Sequence, residues 1–192
     1  ALISLQHLLA KEIEHPKIEE LAVIIELEMK QNSKAKIMTF CQFRETAATI
    51  IKRLNKISNV NAQIFVGQAI RSNSKGTSGL SQKEQKAVIE QFKSGEINVL
   101  AATSIGEEGL DIPEVSAVIF YEPIPSAIRK IQRAGRTARL SPGKIIMLMT
   151  KDTRDIAFHY ASMAKEKKMY KIIEQAKNEL EQAKEKKSKS QT

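Results

Sequence analysis

The segment Gln132-Arg133-Ala134-Gly135-Arg136-Thr137-Ala138-Arg139 places three arginines and a glutamine around one glycine. A guanidinium presents a planar fork of donors that matches phosphate oxygens and stays charged in any site. Arg136 and Arg139 are three apart, so a helical turn points both the same way. The plain alternative is a solvated basic helix end, favoured by the helix dipole. Upstream, Ala102-Thr103-Ser104-Ile105-Gly106-Glu107-Glu108-Gly109-Leu110-Asp111-Ile112-Pro113 joins a strand-like run to hydroxyls, glycines and three acids. Thr103 and Ser104 follow a strand end, where hydroxyls and N–H groups meet phosphate; a plain helix cap is the other reading.

These two segments resemble motifs V and VI of superfamily 2 helicases, the latter having the pattern Q/H-R-x-G-R-x-G-R. The chain departs from it at Ala138, where glycine is the rule, and carries Gln132 where DEAD-box RNA helicases usually have His. A narrower resemblance is to the archaeal Hef helicase and its relative FANCM. It rests on Phe65-Val66-Gly67-Gln68, Gly79-Leu80-Ser81-Gln82-Lys83-Glu84-Gln85, Ser104 to Asp111, Tyr121 to Arg129, Thr153-Arg154-Asp155 and Lys165 to Met169. The pieces follow the family's order over roughly residues 16–170.

The resemblance implies the second RecA-like domain of an ATP-dependent DNA motor acting on branched or forked DNA. It implies catalytic roles for Arg136 and Arg139 at the γ-phosphate, with Gln132 oriented around the same group. Gly109 would let backbone approach the nucleotide, and Asp111 would accept a hydrogen bond from the ribose or from motif VI. Gln42, Arg44, Gly67, Gln68, Thr103 and Ser104 would line the nucleic-acid groove. For Gln42 and Arg44 the residues alone allow an ordinary helix first turn as readily.

The chain contains no G-x-x-x-x-G-K-[S/T] phosphate loop and no Asp-Glu pair after a strand, and Gly143-Lys144 lacks the surrounding pattern. ATP and Mg2+ would therefore be held mainly by an N-terminal RecA-like domain, the partner across a cleft. This chain would supply arginines worth about 10³–10⁵ in rate, and alone is expected to be inactive. Two rival readings are a superfamily 2 RNA helicase domain and a non-catalytic nucleic-acid-binding adaptor.

To position these residues the chain must form a layered α/β domain. Strand-like apolar runs occur at Ile37–Cys41, Ala62–Val66, Asn98–Ala102, Ala117–Tyr121 and Ile145–Met149. Helical runs occur at Pro16–Gln31, Glu45–Ile57, Gln82–Lys93 and Ser126–Ala134. That alternation predicts a RecA-like parallel sheet with helices on both faces. The expected organisation is the end of an upstream helical element (1–15), the RecA-like domain (16–153), a C-terminal helical extension (154–185) and a disordered tail (186–192). In the extension Met169, Ile172, Ile173, Ala176, Leu180 and Ala183 form one stripe. Residues 69–79, rich in Gly, Ser and Thr, read as a loop.

The 192 residues carry 42% hydrophobic and 28% charged side chains, enough for one such domain. The net charge of +9, of which residues 165–192 contribute +4, suits a polyanion partner without requiring one. No apolar run approaches the ~20 residues of a membrane span. The opening Ala1 suggests a longer parent, and a cytoplasmic or nuclear location is expected. Cys41 lies in an apolar run and reads as core, while His7, His15 and His159 are too scattered to ligate a metal.

Overall fold

The computed structural model describes residues 15–67, 80–103, 112–123 and 143–189, with side chains to residue 179. The expected elements at 1–14, 69–79 and Ser126–Ala134 lie outside the described residues.

Helix α1 (Pro16–Gln31) starts where His15 Nδ1 accepts the Lys17 N–H and proline takes the first turn. Ile18, Leu21, Ala22, Ile25 and Met29 form its buried stripe. Strand β1 (Ile37–Phe40) follows, then α2 (Arg44–Leu54), β2 (Ala62–Phe65), α3 (Gln82–Ser94), β3 (Val99–Ala102), β4 (Ala117–Phe120), β5 (Lys144–Met147) and α4 (Arg154–Lys189). Helix α2 stops before the expected Ile57. The Asn55 side chain pairs with both backbone groups of Ala62, accepting at 2.7 Å and donating at 3.0 Å, and so ties the helix end to β2. Helix α3 is set by a capping box between Ser81 and Glu84, and ends at Gly95 with φ +87°.

All four strand pairings are parallel, in the order β2-β3-β1-β4-β5. Alternation sends Ile37, Val99, Ala101, Ala117 and Ile119 into a core with α1 and α2. Met38, Phe40, Phe65, Leu100, Ala102, Val118 and Phe120 pack with α3 on the other face. Both faces are thus covered, as the continuous apolar runs predict. Cys41 is buried, with Sγ 3.4 Å from the Phe43 carbonyl and 3.8 Å from that of Ala102.

Helix α4 begins where Thr153 Oγ1 accepts the Asp155 N–H. Asp155 is ion-paired with Lys17 of α1 and also accepts the Thr150 N–H at 2.9 Å. The same ammonium lies 5.6 Å from the Tyr121 ring centre. The motif Thr153-Arg154-Asp155 therefore fastens α4 to the body of the domain. The helix is continuous to Lys189, into the stretch 186–192 read from the sequence as a tail. No glycine or proline interrupts the sequence after residue 153, and Lys and Glu are good helix formers. Along α4, Ile172 and Ile173 of the apolar stripe and the nearby Tyr170 are more than half exposed, with no cover among the described residues.

Candidate nucleic-acid interface at the strand ends

Parallel register brings the carboxyl ends of four strands level: Phe40 pairs with Ala102 and Phe120, and Ala102 with Phe65. The ladder continues one residue further. Cys41 N–H donates to Ala102 O at 3.0 Å, Tyr121 N–H to Phe40 O at 2.9 Å, and Thr103 N–H to Phe65 O at 3.4 Å. The loops leaving β1, β2, β3 and β4 therefore start from one row. The chain passes from β1 to one side of the sheet, through β2 and β3, and then to the other, through β4 and β5. Such a reversal opens a crevice beyond the strand ends, the usual ligand position in open α/β sheets.

Arg44 is the first residue of α2, and its Nη2 donates to the Gly67 carbonyl at 2.8 Å. Since β3 lies between β1 and β2, this bond spans the end of β3, from which Thr103 emerges. Gln42 is exposed beside it and Gly67 is buried. Thr103 is only 6% exposed. One expectation is corrected here: the Thr103 N–H is not free for a phosphate, because the extended ladder engages it with Phe65. The structure brings Gln42, Arg44, Gly67 and Thr103 to one edge. Gln68, Ser104, Gly109, Asp111, Gln132, Arg136 and Arg139 lie outside the described residues.

Two features of this edge escaped the sequence reading. Gln85 of α3 is buried, and its Nε2 donates to Val66 O at 3.3 Å and to Leu80 O at 3.2 Å. It anchors the chain entering Gly67 from below, yet one glutamine in a polar helix turn carries no periodic signal. The second is Phe43, the residue before α2, which is 56% exposed.

Charge at the α1–α4 junction is also defined. Burial raises the Asp155 pKa, but the Lys17 hydrogen bond and the Thr150 N–H outweigh it and hold the carboxyl below its ordinary value. At the start of α3, hydrogen bonds from Ser81 lower the Glu84 pKa. Among the described residues no group of three or more His, Cys, Asp or Glu is placed to hold a metal ion. None of the helices described is long and apolar enough to cross a membrane.

Residues 16–141 match the model of the helicase conserved C-terminal domain. The chain belongs to that family. The helicase domain of Pyrococcus furiosus Hef is similar in structure, with a TM-score of 0.65 and 46% identity over 82% of this chain and 31% of that one. The ATP-dependent DNA helicase fml1 of Schizosaccharomyces pombe is 43% identical over 154 residues, 78% of this chain and 18% of its own length. A Methanocaldococcus jannaschii protein named as a candidate ATP-dependent RNA helicase is 40% identical over 166 residues, 86% of this chain. The chain spans about a fifth of that relative's length, 21%. The C-terminal domain of the DEAD-box protein Dbp5, at 22% identity and a TM-score of 0.62, shares the fold. The parallel sheet is thus the RecA-like fold of a Hef/FANCM-type helicase C-terminal domain.

Proposed function

We propose that this chain is the C-terminal motor domain of an ATP-dependent DNA helicase or translocase acting on branched or forked DNA, and that the strand-end edge forms part of its nucleic-acid groove. The observation that carries the reading is the clustering of Gln42, the Arg44–Gly67 clamp and Thr103 on one edge of a helicase-family domain. An exposed amide and a cation there suit contact with a sugar–phosphate backbone. Arg136 and Arg139 would face a γ-phosphate held by an N-terminal RecA-like domain, Gln132 would orient around it, and Gly109 and Asp111 would meet the nucleotide. Gln68 and Ser104 would extend the groove.

In this scheme ATP and Mg2+ sit mainly on the other domain, and this chain contributes positive charge as negative charge develops on the phosphoryl group. Closure and reopening of the cleft would shift the grip on the backbone by steps. A second reading, RNA as the track, is favoured by the name of the Methanocaldococcus jannaschii relative. ATP turnover by the complete protein, measured with forked DNA, duplex RNA or neither, separates the two. Forked DNA is expected to stimulate turnover more than RNA does. Stimulation by RNA alone would establish the second reading, and no response to either would remove both.

A further inference from the structure

The strand-end edge carries one feature that a backbone-phosphate grip leaves unused, the ring of Phe43. Other aromatic residues at these strand ends point inward: Phe40, Phe65 and Phe120 are at most 1% exposed and Tyr121 is 6% exposed, against 56% for Phe43. Phe43 occupies the position before α2, with extended backbone (φ −114°, ψ 149°), and its side chain makes no capping hydrogen bond. Serine, threonine, aspartate or asparagine is preferred there because the side chain can satisfy a helix N–H. The Phe43 carbonyl is engaged by Cys41 Sγ at 3.4 Å and by the Ala47 N–H at 3.1 Å, so the ring stands on an anchored loop. Its neighbours are the exposed Gln42 and the clamped Arg44.

A single exposed apolar side chain is ordinary on a protein surface. Phe43 differs in place and in kind. It is a flat ring between two polar residues, on an edge whose other aromatics are all packed away, at a position where a polar residue would serve the helix better.

We propose that Phe43 is a base-stacking residue of the nucleic-acid site, and that it confers a preference for single-stranded over fully paired DNA. The inference rests on the groove reading above and names what that groove holds. A base in a continuous duplex is covered on both faces by its neighbours, whereas an unpaired base offers a face to an aromatic ring. Gln42 and Arg44 would hold the adjoining backbone while the ring receives the base. Stacking tolerates any base, so the preference concerns strandedness and not sequence.

The test uses the complete protein and two probes, a single-stranded oligodeoxynucleotide carrying 2-aminopurine and a blunt duplex of the same sequence. Phe43→Ala is expected to weaken single-strand binding by roughly 5- to 150-fold, the range for losing one base–aromatic stack. Duplex affinity should change little. Binding to the unchanged protein should quench 2-aminopurine at one register, and Phe43→Ala should abolish that quenching. Phe43→Tyr should retain both properties, whereas Phe43→Leu should behave like alanine, because area without a π-face is insufficient. Thermal unfolding checks that the variants remain folded, which an exposed ring allows. Unchanged single-strand affinity and quenching in Phe43→Ala would overturn the proposal, as would equal losses on both probes. If Arg44→Ala weakens binding while Phe43→Ala is silent, stacking fails and the groove reading survives. If the unchanged protein binds neither probe, the groove reading fails and the proposal with it.

Discussion

Replacing Gln85 with leucine isolates what holds the loop after β2. The residue is 5% exposed, and its amide donates to two carbonyls, Val66 at 3.3 Å and Leu80 at 3.2 Å. Leucine keeps similar volume and helix propensity but removes both donors. Leu80 is half-buried, so water can reach its carbonyl and the loss there should be small. Val66 is 3% exposed, and a buried acceptor left without a partner costs about 1–3 kcal/mol. Both bonds are rather long, and the gain in apolar burial offsets part of the loss, so we expect a net destabilisation of about 1–2 kcal/mol. For a domain of this size each kcal/mol lowers Tm by about 2–4 °C. Urea unfolding should show a lower midpoint with an unchanged slope, because the folded state stays compact. DNA affinity should fall in parallel, since Gly67 and its bond to Arg44 lie directly beyond Val66. A variant as stable as the parent, with unaltered DNA binding, would show that α3 does not brace this edge.

Arg44→Ala should weaken DNA binding by about tenfold and reduce the slope of log affinity against log salt by about 1, as for one lost phosphate contact; an unchanged slope would assign Arg44 to loop bracing alone. Asp155→Asn should loosen the root of α4 and cost about 1 kcal/mol, because the partly exposed Lys17 pair is screened by solvent. The Asp155 pKa is lowered in the fold, so its contribution is present above the ordinary carboxylate pKa and is lost as pH falls through the folded value. Urea midpoints measured from neutral pH downward should therefore fall less steeply for Asp155→Asn than for the parent, and identical pH profiles would refute the link. The isolated 192-residue chain should turn over no ATP above background and should bind DNA weakly, with affinity dropping steeply between ~50 and ~200 mM salt. DNA-stimulated turnover by this chain alone would contradict the half-site account.

The sheet was legible because strands buried on both faces leave uninterrupted apolar runs, as in Ile37–Phe40 and Ala117–Phe120. Strand ends were less so. Cys41 and Tyr121 are buried and extend the ladder through their N–H groups, although the strands stop one residue earlier. At the edge strand β5 the expected start at Ile145 moves to Lys144, whose N–H bonds Ser116 O at 2.9 Å and whose side chain reaches Glu28. The strand-end residues Gln42, Arg44, Gly67 and Thr103 could be grouped from their place after strands. The Arg44–Gly67 bond and the engagement of the Thr103 N–H could not, because both depend on β3 inserting between β1 and β2. Lys17 and Asp155, 138 residues apart, meet only in three dimensions. Phe43 lies between Gln42 and Arg44, just past the apolar run Ile37–Cys41, and nothing in its residue type distinguishes an exposed ring from a core one.

The proposed function divides the work between nucleotide chemistry at the arginine cluster and track binding at the strand-end edge. It is tested most directly by comparing Arg136→Ala and Thr103→Ala in the complete motor, measuring ATP turnover and DNA affinity for each. Arg136→Ala should remove turnover and leave DNA affinity nearly unchanged, because such a residue acts mainly when charge develops in the transition state. Lysine at that position should restore little, since a point charge cannot reproduce the guanidinium fork. Thr103→Ala should keep basal hydrolysis and lose its stimulation by DNA. Weakened DNA binding with hydrolysis spared in Arg136→Ala would place the arginines in the nucleic-acid groove and contradict the account.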